Sequence, residues 1–207
     1  LGVIMPNDFL PIAEKYDIMA ALGEWILRRA CIQIRKWNND GNPDFWASVN
    51  FSLSQISGPM FIDGIFKAIS ETKVNPNNVV IEISKSGELD DVDQISKKLT
   101  AIKTLGVKIS LDNFGEENSS VDSLSKVPVD IVKISKDIVS TIDRNLNSFN
   151  FIQNMVKTAQ LLGFKICAEG VEQSFQADKL VGMGIDYLQG YYYSRPLNAS
   201  SFQELYD

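Results

Sequence analysis

A β/α barrel is the fold class this sequence predicts, and three observations carry it. Apolar runs of strand type alternate with amphipathic runs of helical type along the whole chain. The strand-type runs lack the polar alternation of a half-exposed sheet, so they belong in a mostly parallel sheet covered by helices. Six of them close on one polar residue suited to phosphate or metal chemistry: Asn50, Glu82, Asp112, Lys133, Glu169 and Gln189. A barrel gathers residues from several strand ends on one face, whereas an open doubly wound sheet concentrates its site where strand order reverses. Six polar strand ends therefore favour the barrel. No Gly-x-Gly-x-x-Gly follows the first strand, which argues against a Rossmann dinucleotide site.

Each element has a local reason. Asp17 to Trp37 predicts a long amphipathic helix, because Ile18, Leu22, Trp25, Ile26, Ala30 and Ile34 recur at helical spacing. The turn cluster from Asn38 to Pro43 ends it. Phe45 to Phe51 predicts a strand, and Pro59 to Ser70 a helix with proline near its first turn. Asn75 to Asn78 is a loop, and Val79 to Ile83 a β-branched strand. Asp90 to Leu105 predicts a helix with Gly106 at its C-terminal cap. Val107 to Leu111 is the next strand, followed by a short helix over Ser119 to Ser125. Pro128 precedes a strand from Asp130 to Ile134. Ser148 to Leu162 is a helix closed by Gly163, and Phe164 to Ala168 a strand. Ser174 to Gly182 is a helix, Ile185 to Leu188 a short strand, and Ser200 to Tyr206 a last helix.

The 207 residues suffice for one domain with a real core, although a complete eight-fold barrel typically needs about 250. The chain starts at Leu1 without an initiator Met, and residues 1–207 are read as a single barrel domain, a fragment of a larger protein. A net charge of −6 provides no broad basic footprint for a nucleic-acid polymer. A small nucleotide held by local groups fits that balance. No apolar run approaches the roughly 20 residues that cross a bilayer, and no signal peptide is visible. This fragment is therefore expected to make no membrane contact. Cys31 and Cys167 read as buried thiols in a reducing, cytoplasmic setting. Histidine is absent, and the two cysteines form no close pair. Any metal should then be a hard cation bound by oxygen, such as Mg²⁺ or Mn²⁺.

Glu82, Asp112 and Glu169 are carboxylates in the most apolar parts of the chain. Burying an unpaired carboxylate costs on the order of several kcal/mol. A shared divalent cation offsets that cost, and so does pairing with lysine or arginine inside a barrel. Lys133 suits a phosphate, or a water beside a metal; its stem would equally serve to carry the ammonium to the rim. Gly170 and Gly190 permit close backbone approach at two strand ends, or ordinary turns. The run Tyr191 to Pro196 suits base stacking and phosphate contact, or plain aromatic packing. Glu88 to Asp91 reads as a solvated helix start.

These pieces resemble one family. Phe9-Leu10-Pro11-Ile12-Ala13-Glu14 looks like its opening segment, and Ser48-Val49-Asn50-Phe51-Ser52 its second-strand motif. Ile81-Glu82-Ile83-Ser84 resembles the third strand. Leu111-Asp112-Asn113-Phe114-Gly115 resembles its Asp-Asp-Phe-Gly, and Val132-Lys133-Ile134-Ser135 its Lys-Ile-Asp. Ala168-Glu169-Gly170-Val171-Glu172, Leu188-Gln189-Gly190-Tyr191 and Ser194-Arg195-Pro196-Leu197 match its closing motifs. The family is that of the EAL cyclic di-GMP phosphodiesterases, and the resemblance covers essentially the whole chain.

The resemblance implies a TIM-like (β/α)8 barrel with a modified, antiparallel first strand, which is missing here. It implies hydrolysis of cyclic di-GMP to pGpG with two Mg²⁺ or Mn²⁺ ions. Asn50, Glu82, Asp112 and Glu169 would be metal ligands, Lys133 and Glu172 catalytic, and Gln189, Arg195 and Pro11 ligand contacts. It also implies a possible homodimer, upstream sensory or GGDEF-type domains, and a cytoplasmic domain, whether or not the parent protein is membrane-anchored. The departures are as informative. Glu-Ala-Leu itself is absent and is expected upstream of Leu1. Asn113 stands for an aspartate, Lys85 for a glutamate, and Ser135 for an aspartate. The segment Gly115 to Ser120 replaces Gly-Thr-Gly-Tyr-Ser-Ser. Asn113 and Lys85 are expected to impair the second metal site. The leading expectation is a degenerate EAL domain, a receptor or regulatory module for cyclic di-GMP with little or no hydrolysis. An active phosphodiesterase and a nucleotide-independent scaffold are the alternatives.

Overall fold

The computed structural model describes residues 4–83, 92–115, 124 and 126–206. Its strands are β1 (Ala47–Phe51), β2 (Val79–Ile83), β3 (Lys108–Phe114), β4 (Ile131–Ile134), β5 (Lys165–Ala168) and β6 (Tyr187–Leu188). They follow chain order in one six-stranded parallel sheet, with helices between them, so the class is α/β as predicted. The chain divides into two compact units, Leu1–Lys108 and Ile109–Asp207. Lys85, the Glu88 to Asp91 stretch, the loop from Glu116 to Ser120 and, apart from Leu124, the predicted helix at 119–125 lie outside the described residues.

In the first unit, α1 (Pro6–Lys15) is a helix that sequence periodicity did not predict. Pro6 sits in its first turn, where the missing N–H costs nothing. Pro11 lies inside it, against the usual helix-breaking rule. Asp17 takes a left-handed φ of +55° and separates α1 from α2 (Met19–Asn39). The predicted apolar stripe of α2 is rotated: Gly23, Leu27, Cys31 and Ile34 are buried, while Ile18, Trp25 and Ile26 are exposed. Ser52 and Gln55 form a capping box that starts the short α3 (Leu53–Ser57), also unpredicted. The helix α4 (Phe61–Thr72) begins and ends two residues later than expected and buries Phe61, Ile65, Ala68 and Thr72. β1 and β2 pair in parallel with Asn50 opposite Glu82. From α5 (Val92–Lys103), Lys98 donates to the carbonyls of Ile56, Ser57 and Gly58 at 2.6–3.0 Å. That ammonium closes the carbonyl end of α3.

In the second unit, β3 runs to Phe114, three residues past the predicted end. Its pairing with β4 is irregular between Leu111 and Phe114. Asp112 and Asn113 therefore occupy a bulge, with Asn113 at φ +52°. Two aspartates before strands act alike: Asp130 Oδ2 accepts from Ile109 N at 2.8 Å, and Asp186 Oδ2 from Ile166 N at 2.9 Å. Each satisfies a backbone donor on the preceding strand. The helices α6 (Lys136–Val139), α7 (Leu146–Leu162), α8 (Ser174–Gly182) and α9 (Ala199–Gln203) complete the unit. Phe114, Ile134, Ile142, Ile152, Ile166 and Leu180 are fully buried in its core. Among the described residues, no helix is long and apolar enough to cross a membrane.

Candidate functional site

Asp112, Lys133 and Glu169 come from the carboxyl ends of β3, β4 and β5. The parallel register that sets Lys133 beside Cys167 carries the chain two residues on to Glu169. Lys133 Nζ lies 2.7 Å from Glu169 Oε1 and 3.4 Å from Asp112 Oδ1. Lys133 is only 7% exposed, so its charge is compensated by both acids rather than by solvent. One oxygen from each carboxylate lies within 4.8 Å of the other. Asp112 Oδ1 is buried and, among the described residues, accepts no hydrogen bond. Its 3.4 Å separation from Lys133 is an ion-pair distance, too long for a well-made N–H···O bond. The other oxygen, Oδ2, accepts from the Asn113 amide at 3.2 Å. Ser110 Oγ and Ser135 Oγ are likewise buried with no hydrogen-bond partner among the described residues.

A hard divalent cation suits this donor set, which is carboxylate oxygen with one lone-pair position unused on Asp112. Asn113 and Ser135 contribute no charge to it. The structure brings Asp112, Asn113, Lys133 and Glu169 together.

A second group gathers where β5 and β6 end. A cavity of about 250 Å³ is lined by Lys136, Glu169, Gly170, Glu172, Gln189, Gly190 and Tyr191. Lys136 Nζ meets Glu172 Oε1 at 2.6 Å, and that carboxylate raises the ammonium above its ordinary range. Gly170 has φ +67°, and a Cβ there would run into the Lys136 stem. A Cβ on Gly190 would collide with the Val171 backbone. Val171 N donates to Gln189 O, and Tyr192 N to Val171 O, each at 3.0 Å. Gln176, 5% exposed, accepts from Glu172 N and Gln173 N at 2.8 and 3.0 Å. Arg195 lies 4.8 Å above the centre of the Tyr191 ring, a cation–π distance. Lys136 was not singled out from sequence. It opens the short helix α6 just past a strand end, exposed, and no local pattern separates it from other surface lysines.

In the first unit, Asn50 is exposed and its register partner Glu82 is 3% exposed, both at their strands' carboxyl ends. Pro11 is exposed within α1.

Parallel strands bearing acids, a lysine and an amide at their carboxyl ends are the arrangement in which a β/α barrel gathers a site. The EAL domain model matches residues 1–196, and the chain belongs to that family. The bifunctional diguanylate cyclase/cyclic di-GMP phosphodiesterase MucR of Pseudomonas aeruginosa is 32% identical over 198 residues, 96% of this chain and 29% of that protein. The chain spans about a quarter to a third of the length of the curated relatives it matches. A solved PaMucR phosphodiesterase in complex with c-di-GMP superimposes with a TM-score of 0.89 at 31% identity, covering 96% of this chain and 81% of that one. An EAL domain protein from Listeria monocytogenes superimposes at 0.86 with 30% identity, covering 98% and 79%. The TIM-like barrel class expected from sequence agrees with these matches.

Proposed function

We propose that this chain is a cyclic di-GMP receptor module that binds the nucleotide with one Mg²⁺ or Mn²⁺ and hydrolyses it little or not at all. The observation that carries the reading is the Asn113 amide donating to Asp112 Oδ2. A donor on a ligand carboxylate competes with a cation for the same oxygen, and a neutral amide cannot replace an anionic ligand. Ser135 and Lys85 lower the negative charge further.

In this reading Asn50, Glu82, Asp112 and Glu169 hold the cation, in line with family membership. A cation held there would supply Lewis-acid polarisation of a phosphate ester. Lys133 keeps Asp112 and Glu169 oriented and holds a proton at Nζ beside them. Gln189 and Arg195 contact the nucleotide, and Pro11 belongs to the same ligand set. Residues 1–207 act as one cytoplasmic domain of a longer signalling protein, joined to sensory or GGDEF-type domains and able to pair as a homodimer.

The second reading is an active phosphodiesterase, favoured by the connected Asp112, Lys133 and Glu169 cluster. In that case Lys133 and Glu172 are the catalytic groups. Calorimetric titration with cyclic di-GMP, with and without Mn²⁺, and chromatography of pGpG decide between them. Binding with negligible pGpG is expected. Turnover near that of an active family member overturns the receptor reading, and no binding at high ligand leaves a protein-interaction scaffold.

A further inference from the structure

Lys98 of α5 brings its ammonium to three consecutive carbonyls at the end of α3, those of Ile56, Ser57 and Gly58, at 3.0, 2.6 and 2.7 Å. An ammonium has three N–H donors, so these carbonyls use all of them. A helix of five residues is too short to be held by its own hydrogen bonds. The opposite end of α3 is held as well. Gln55 completes the capping box with Ser52 and donates from Nε2 to Met19 O of α2 at 2.8 Å. Gly23 of α2 lies so close that a Cβ there would meet Gln55 Nε2 at 2.6 Å. The short helix is thereby clamped between α2 and α5.

The clamped segment starts directly after β1, whose carboxyl end carries Asn50. Asn50 is exposed, and among the described residues no hydrogen bond holds its side chain. Its amide is therefore placed by the backbone that carries it. Before Asn50 that backbone is fixed by the parallel register of β1 with β2, in which Asn50 faces Glu82. After Asn50 it is fixed by α3. We propose that Lys98 is a positioning residue for Asn50, an inference that rests on the reading of Asn50 as a cation ligand. Lys98 does not touch the cation. It acts through α3, by holding the far end of the segment that leaves the strand. A neutral amide oxygen is a weaker cation donor than a carboxylate, so its contribution depends on being held in place before the ion arrives. Residues that support a metal ligand set its orientation and hence the affinity of the site. With the Lys98 donors removed, the carbonyl end of α3 loses its partners, the short helix frays, and the turn behind Asn50 loosens with it.

Binding of Mn²⁺ to the whole chain, followed by the electron paramagnetic resonance signal of the free ion, tests this. Lys98→Met keeps most of the stem and removes the donors. It should weaken Mn²⁺ binding about tenfold, the lower end of what lost support of a metal ligand costs, and speed hydrogen exchange at the amides of Leu53 to Gly58. Asn50→Ala should weaken binding by a similar factor. Adding Lys98→Met to Asn50→Ala should weaken it no further, because the two act on one contact. Ethylammonium should restore binding to Lys98→Ala by filling the carbonyl cradle, and should not restore it to Lys98→Met, whose side chain occupies that space. Asn78→Ala removes hydrogen bonds to Asn38 and Pro43 at the far end of β2 and controls for stability alone; it should bind Mn²⁺ as wild type does. Lys98→Ala with and without ethylammonium carries the test if Lys98→Met misfolds. A wild type that binds no Mn²⁺ overturns the cation reading itself. A wild type that binds it, with Lys98 variants that lose stability but not Mn²⁺ affinity, or whose losses add to that of Asn50→Ala, overturns the positioning role alone.

Discussion

The Asn113 side-chain amide donates to Asp112 Oδ2 at 3.2 Å from a left-handed backbone position at φ +52°. Asparagine and aspartate adopt that conformation more readily than other non-glycine residues. The bulge in β3 therefore accepts either residue, and the exchange alters charge without altering backbone.

Asn113→Asp, combined with Lys85→Glu, is expected to raise Mn²⁺ stoichiometry from one ion to two and pGpG formation by about tenfold or more, equivalent to roughly 1.4 kcal/mol of barrier. Metal titration followed by product chromatography measures both. Unchanged stoichiometry would show that the amide is not what limits the second cation.

Lys133→Met leaves Asp112 and Glu169 facing each other in a largely dry site. Removing one partner from a buried charge cluster should destabilise the chain by about 3 kcal/mol. Urea unfolding reads the loss. Added Mn²⁺ should recover part of it in this variant, because a cation bound only by the folded state stabilises by mass action.

Asp186→Ala removes both the acceptor for Ile166 N and the 2.7 Å ion pair with Lys165. A loss of about 1–2 kcal/mol is expected from the orphaned backbone donor, and Asp130→Ala should do the same to Ile109. Asp186 also holds the Lys165 ammonium above its ordinary range, chiefly through their hydrogen bond. A raised lysine contributes stability that is full below the unfolded-state value and fades as pH rises through the folded one. The alkaline limb of the wild-type pH–stability profile should therefore flatten in Asp186→Ala.

Burial pushes the Cys31 thiol from 9.0 up to about 11. The neutral thiol's contribution to stability is full below pH 9 and is lost as pH climbs toward 11. Iodoacetamide at pH 8 should label Cys31 only after unfolding, and mass spectrometry of the labelled peptide checks it. Rapid labelling of the native chain would contradict its burial.

Gly190→Ala should cost about 2–3 kcal/mol, since the new methyl meets Val171 backbone atoms that cannot swing aside. A lowered melting temperature, together with weakened nucleotide binding, is the expected outcome.

The strand from Val79 to Ile83 was legible residue for residue, because a continuous β-branched run between a proline turn and polar sequence allows few alternatives. The helix at Ser174–Gly182 was equally legible. The α1 helix was not, because two prolines obscure its local signal. The buried face of α2 was misplaced, because Trp25 and Ile26 fit the same period as the true core positions.

The sequence by itself determined the alternation of strands and helices, the family, and the polar residue at each strand end, all properties of local pattern and residue type. Tertiary structure decided that Lys133 lies between Asp112 and Glu169, that Asn113 caps one of those carboxylates, and that Lys136 joins Glu172 over Gly170. Those relations depend on strand register, a bulge and a close backbone approach. They are set by packing between segments far apart in the chain, which local pattern does not encode.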